Sequence, residues 1–215
     1  MKDNKPGKIA ILLTSSGDEL RNDLWEMVFL YYFLERSHFH IVNIIPLNDR
    51  DNAHLIDKIG NSGFSLGDLV TIDREVGKEI EAVIMTGFSD SRRPSVGDLH
   101  SQGEIAVEKE IRRFLREMFR RHKPIAACGL AVMVLSNAIS DISDSPLTVT
   151  VGNDPDTDRI IERKGCVTVN TRGGEVIIDE TNRLVTTAGH FGERKINVVY
   201  KGMENLIEGL SSLII

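Results

Sequence analysis

Lys123-Pro124-Ile125-Ala126-Ala127-Cys128-Gly129-Leu130-Ala131-Val132 reads as a short buried strand that turns through a cysteine and a glycine into a helix. Pro124 sets the entry, and Gly129 allows the tight bend. At a strand-to-helix elbow the side chain is exposed at the top of the sheet, and the helix N-terminus points at it. The partial positive charge of that N-terminus lowers a thiol pKa from its free value of about 8.5. Cys128 is therefore the candidate reactive group. The other reading is a buried structural cysteine, since free Cys is among the most buried residue types.

Upstream of the elbow, Lys8 to Thr14 is an apolar, β-rich run closed by Ser15-Ser16-Gly17-Asp18, so a first strand and a polar loop. Asn22 or Asp23 can cap the helix that follows, and Leu24, Val28, Tyr31 and Leu34 give it an apolar face. Glu26 falls in its first turn, either as a surface carboxylate favoured by the helix dipole or pointing inward across the top of the sheet. His40 to Ile45 is a second strand. Asp49 to Lys78 has weak periodicity and reads as short helical or hairpin pieces. Glu81 to Met85 is a buried strand ending in Thr86-Gly87-Phe88. Ser89 to Gln102 is a long polar loop, and Glu104 to Arg121 an amphipathic helix striped by Ile111, Leu115 and Met118.

Downstream, Leu130 to Ile139 is the helix of the elbow. Leu147 to Val151 is a strand. Asn153-Asp154-Pro155-Asp156 starts a helix by capping, with Pro at its first position and acids in its first turn, and Gly165 ends it. Cys166 to Asn170 is a strand. Val176 to Asp179 and Leu184 to Thr187 flank Glu180-Thr181-Asn182-Arg183 as a hairpin. Gly189-His190-Phe191-Gly192 follows, and Ile196 to Leu213 is the last helix. This alternation predicts an α/β fold: a doubly wound, mostly parallel sheet flanked by helices, with a small antiparallel hairpin.

The chain has 215 residues and a formal net charge of -6. That size fits a single domain spanning 1–215. The charge argues against nucleic acid and anionic membrane surfaces as partners. Two cysteines, without a CxxC or a Cys/His cluster, imply a reducing compartment and no structural zinc. Ile9 to Leu13 is too short for a signal-peptide core and no segment is long enough to span a membrane, so the expectation is a soluble cytoplasmic protein, or an organellar one whose targeting peptide has been removed.

Sites in open α/β sheets lie at the carboxyl ends of strands. If the strands are neighbours, one crevice gathers the Cys128 thiol, the Glu26 carboxylate, the His190 imidazole and backbone N–H groups of Gly87, Phe88 and Gly129 that would stabilise an oxyanion. That is the equipment for nucleophilic attack on a carbonyl. His190 also has a plain packing or surface reading. What favours a role is its place just after a strand, between Gly189 and Gly192. Cys166 follows a helix C-terminus, where the dipole disfavours thiolate, and reads as structural. Trp25, Tyr31 and Tyr32 read as packing residues or a dimer contact.

Together these residues resemble the PfpI/ThiJ superfamily, of class I glutamine amidotransferase-like and flavodoxin-like architecture, and within it the ElbB family, the enhancing lycopene biosynthesis proteins with their glyoxalase-like relatives. The resemblance is most specific over Leu147 to Thr157, over Val176 to Thr187, in Lys123-Pro124 leading to Cys128, and in Trp25-Glu26-Met27-Val28. It implies that Cys128 is the nucleophile or redox-active thiol, that Glu26 contacts it, and that the protein is a homodimer without a cofactor. Three departures stand out. Thr86 replaces the first glycine of a Gly-Gly pair, Gly129 follows the cysteine where the protease-like branch has His, and Asp18-Glu19-Leu20-Arg21-Asn22 replaces a Gly-rich loop.

Three functions follow as expectations. The first is a glyoxalase-type enzyme that converts small 2-oxoaldehydes to 2-hydroxy acids through Cys128, a small carbonyl compound being its partner. The second is a non-enzymatic stress or redox protein whose cysteine oxidises and changes partner binding. The third is an amidotransferase-like hydrolase, which needs a full Cys–His–Glu set.

Overall fold

The structure, a computed structural model, describes residues 7–13, 15–16, 19–20, 24–45, 67–72, 76–86, 107, 109–191 and 195–214. In chain order these form β1 (Lys8–Leu12), β2 (Ser15–Ser16), β3 (Glu19–Leu20), α1 (Leu24–Arg36), β4 (His40–Ile45), β5 (Asp68–Thr71), α2 (Val76–Glu79), β6 (Ala82–Met85) and α3 (Lys109–Arg120). There follow β7 (Ile125–Cys128), α4 (Ala131–Ile139), β8 (Thr148–Val149), α5 (Pro155–Glu162), β9 (Val167–Thr168), β10 (Val176–Asp179), β11 (Leu184–Thr187) and α6 (Ile196–Ile214).

Seven strands make one sheet in the order β10-β11-β7-β6-β1-β4-β5. Every pairing is parallel except the β10–β11 hairpin. The middle strands have no polar face. Ile9 to Leu12, Ala82 to Met85 and Ile125 to Cys128 are buried throughout, because helices cover both sides of a parallel sheet. From β1 the chain builds outward through β4 to β5, then returns to lay β6 on the other side of β1. The crevice of such a sheet opens at this switch, above the carboxyl ends of its strands.

Two cores result. On one face α1 and α6 bring Met27, Leu30, Leu34, Met203, Leu206 and Leu210 onto Ile11, Ile84, Ala126 and Cys128. On the other, Phe114, Leu115 and Met118 of α3 and Leu135 of α4 cover Leu12, Met85 and Ala127. Alternate residues of a strand point to opposite faces. Cys128 therefore lies on the α1/α6 side, and Ala127 faces α3 and α4. Phe114 has no exposed surface. Its truncation to Ala is the kind of core deletion that costs about 3–5 kcal/mol.

Local signals account for several elements. Asp154 caps α5 by accepting from Asp156 N–H at 3.4 Å and Thr157 Oγ1 at 2.9 Å, with Pro155 at the first position. Gly165 closes it in the left-handed region, φ +81.

Three expectations need correction. Val28 does not face the core. It is 45% exposed, while Met27 and Leu30 join Tyr31 and Leu34 inside. The Leu24 side chain and the capping positions Asn22 and Asp23 lie outside the described residues. The strands read at Leu147 to Val151 and Cys166 to Asn170 shorten to β8 and β9, a separate parallel pair. Side chains hold β8 to the hairpin instead of a ladder: Thr148 N–H donates to Asp179 Oδ2 at 2.8 Å and Thr150 N–H to Thr186 Oγ1 at 2.9 Å. Within the weakly periodic 49–78 region, the described part holds a short helix from Val76, as one alternative has it, and a parallel edge strand, β5, rather than a hairpin.

Candidate active site

Four elements converge above the sheet. β7 ends at Cys128. β11, its parallel neighbour, ends at Thr187 and runs through Ala188 and Gly189 to His190. β6, on the other flank, ends at Met85 and the buried Thr86. The fourth is α1, whose first turn carries Glu26 over the strand ends.

Glu26 is the hub. Its side chain is completely buried. The Cys128 thiol donates to Oε2 at 3.2 Å, with the Met85 carbonyl oxygen also within 3.4 Å of the sulfur. Oε1 accepts the His190 backbone N–H at 2.8 Å and faces the His190 Nδ1 at 2.9 Å. A carboxylate taken out of water costs several kcal/mol unless its oxygens are hydrogen-bonded, and here both are. The inward reading of Glu26 is thus the one the fold realises. His190 keeps a third of its side chain, 33%, in solvent. The cluster therefore runs from a sealed thiol, through a buried carboxylate, to a partly exposed imidazole.

The elbow differs from its expected form in one respect that alters the chemistry. Cys128 is the last residue of β7 and has no exposed surface. The left-handed bend falls on Gly129, φ +55, as the sequence predicts, so Cys128 keeps the strand's own alternation of faces. The sulfur thus points to α1 and α6 rather than out of the top of the sheet, and α4 covers the opposite face. The expected oxyanion donor at Gly129 is also committed, its N–H donating to the Thr187 carbonyl at 3.0 Å. The other two, Gly87 and Phe88, lie outside the described residues.

The order of groups is a further finding. In a Ser–His–Asp triad the imidazole stands between nucleophile and carboxylate. Here the carboxylate stands between thiol and imidazole. Among the described residues no group of three or more His, Cys, Asp or Glu side chains could hold a metal ion. Nor is any described helix long and apolar enough to cross a membrane. Cys166 is buried, and burial pushes its thiol pKa up.

No family profile matches the sequence. Among solved structures, an isoprenoid biosynthesis protein with an amidotransferase-like domain from Ehrlichia chaffeensis superposes with a TM-score of 0.75 at 17% identity, covering 97% of this chain and 100% of that one. DJ-1beta of Drosophila melanogaster superposes at 0.58 with 15% identity, over 97% and 95% of the two chains. The oxidised DJ-1 of Toxoplasma gondii does so at 0.53 with 15% identity, over 96% and 95%. The chain has the DJ-1/ThiJ/PfpI fold, in its amidotransferase-like form. The predicted doubly wound sheet with an antiparallel hairpin is therefore correct.

Within this DJ-1/ThiJ/PfpI fold, Cys128, Glu26 and His190, named from the sequence, are brought together, and Gly189 joins them: a Cβ there would run into the Glu26 carboxylate. The signal was present in Thr187-Ala188-Gly189-His190, a glycine at the point where a strand end turns toward a polar side chain. By itself such a glycine implies only a permissive turn.

Proposed function

We propose that the chain is a cofactor-independent glyoxalase-type enzyme that converts small 2-oxoaldehydes to 2-hydroxy acids. The observation that carries this reading is the single carboxylate bonded on one oxygen to a thiol and on the other to an imidazole. The Cys128 proton passes to Glu26 as the sulfur adds to the aldehyde carbon, and then to the new hemithioacetal oxygen. Glu26 next takes the C1 hydrogen as a proton, the C1 hydroxyl proton passes to the C2 oxygen through the enediol, and Glu26 gives its proton to C2, leaving a thioester of the hydroxy acid. Water hydrolyses the thioester, and the thiol is restored. His190, partly exposed, holds Glu26 in place and connects it to solvent. The burial of the sulfur restricts the reaction to small carbonyl compounds that enter on the His190 side. Purified protein should form lactate from methylglyoxal, and activity at the wild-type level in Cys128→Ser would refute the mechanism.

A second reading, that of a redox protein, is favoured by the full burial of Sγ. Peroxide is smaller than any 2-oxoaldehyde, and Glu26 lies where an oxidised sulfur would need a hydrogen-bonding partner. In that reading the thiolate takes one oxygen from each of two peroxides, two waters leave, and the cysteine becomes a sulfinic acid. One structural neighbour, the DJ-1 of Toxoplasma gondii, is itself an oxidised form. The homodimer implied by the resemblance would bury the outward edge of α1, where Trp25, Val28 and Tyr32 are 53%, 45% and 51% exposed.

A further inference from the structure

Ala188-Gly189-His190-Phe191 forms a tight turn, closed by Phe191 N–H donating to the Ala188 carbonyl at 3.0 Å. Gly189 takes φ +59. A Cβ at this position would overlap Glu26 Oε1, and would lie 3.0 Å from Glu26 Cδ and 3.3 Å from the Cys128 Cβ. The carboxylate is completely buried, and its other oxygen is engaged by the Cys128 sulfur at 3.2 Å. The space a side chain would fill is the space the carboxylate occupies.

We propose that Gly189 is a positioning residue: its missing side chain lets Glu26 hold both donors of His190 on Oε1 while Oε2 stays on Cys128. The proposal deepens the site reading above and rests on it.

Turn geometry alone does not explain this glycine. Gly165 has φ +81, yet an added Cβ there meets nothing within 4 Å. Gly174 has φ +86, and its nearest neighbours would be at ordinary contact distance, 3.5 Å. Those two answer a backbone requirement, whereas Gly189 answers that and the approach of a functional carboxylate. The two nearest atoms the new methyl would meet are the far end of the Glu26 side chain rather than backbone. Gly189→Ala should therefore push Oε1 off His190 and leave the sheet intact.

The test compares Gly189→Ala with Gly165→Ala, which also sits in the left-handed region, φ +81, but without the clash. By NMR hydrogen exchange, the His190 amide should exchange about tenfold faster or more in Gly189→Ala and as in the wild type in Gly165→Ala. Methylglyoxal turnover should lose about tenfold or more in kcat with KM unchanged. In a Glu26→Ala background, adding Gly189→Ala should lower Tm no more than Gly165→Ala does, because the clash has gone. If Gly189→Ala does not fold, the double variant should. Wild-type exchange of the His190 amide in Gly189→Ala would overturn the proposal. So would an equal Tm loss with and without Glu26, or a double variant that fails to fold along with the single one. The exchange measurement does not depend on turnover, so an inactive wild-type protein would remove the glyoxalase reading and still leave Gly189 to be decided.

Discussion

Glu26 and His190, 164 positions apart, meet at a single oxygen: Oε1 accepts the His190 backbone N–H at 2.8 Å and lies 2.9 Å from Nδ1. A carboxylate oxygen accepts, so Nδ1 carries the proton and Nε2 is the basic nitrogen of the ring. Backbone and ring are thus oriented by the same group, which also takes the thiol of Cys128 on its other oxygen.

Glu26→Gln keeps the shape of the hub and removes its capacity to take a proton. Methylglyoxal turnover should fall about 100-fold or more, the lower range for a lost general base, while the circular dichroism spectrum and Tm stay near wild type. Initial-rate lactate measurements decide it, and an unchanged rate would end the proton-shuttle role.

The two thiols should behave differently. Cys166→Ser should leave turnover unchanged and Cys128→Ser should abolish it. Under mild peroxide, intact-mass and peptide mass spectrometry should find added oxygen on Cys128 before Cys166, whose buried thiol is held protonated. Oxygen on Cys166 alone would contradict both readings of the site.

Alkaline pH should destabilise the fold. Burial raises the pKa of Cys166 above its ordinary value of 9.0, and that of Tyr31 above 10.0. A group whose folded pKa is raised contributes stability that is full below its unfolded pKa and is lost as pH rises toward the folded value. Tm should therefore decline above about pH 9, and Cys166→Ala should remove the earliest part of that decline. Differential scanning calorimetry across pH 8 to 11 checks this, and an identical decline in Cys166→Ala would refute it.

Asp179 ties the hairpin to β8. Its carboxylate accepts from Thr148 N–H at 2.8 Å, Asn182 N–H at 3.0 Å and Asn182 Nδ2 at 2.8 Å. Asp179→Ala leaves buried donors without their acceptor, and urea denaturation should show a loss of about 2–3 kcal/mol. A loss below about 0.5 kcal/mol, the usual size of a surface change, would mean that the network does not hold the hairpin.

Sedimentation equilibrium should return about twice the chain mass of 24.0 kDa if the exposed edge of α1 is a dimer contact. Tyr32→Glu should then shift the species to the monomer. A monomer at all concentrations in the wild type would remove the dimer.

Much of the architecture was legible because its causes are local. The apolar run of β4, the Asp154-Pro155 start of α5, its Gly165 stop and the β10–β11 hairpin each depend on residues a few positions apart. Val28 misled because α1 is apolar almost all round, so periodicity could not choose which stripe faces inward. Gly189 misled because a glycine in a turn says that backbone is free, not what approaches it.

By itself, the amino-acid order determined the alternation of strand and helix, the elbow after β7 and the three residue types available for chemistry. Those follow from short-range propensity, capping and hydrophobic period. Only the tertiary structure decided that Cys128 faces α1 rather than solvent, that the Gly129 N–H is engaged by Thr187, and that Glu26 stands between thiol and imidazole. Strand order and the crossing of helices over each face set those distances, and both depend on packing between segments far apart in the chain, as with the 102 positions that separate Cys128 from Glu26.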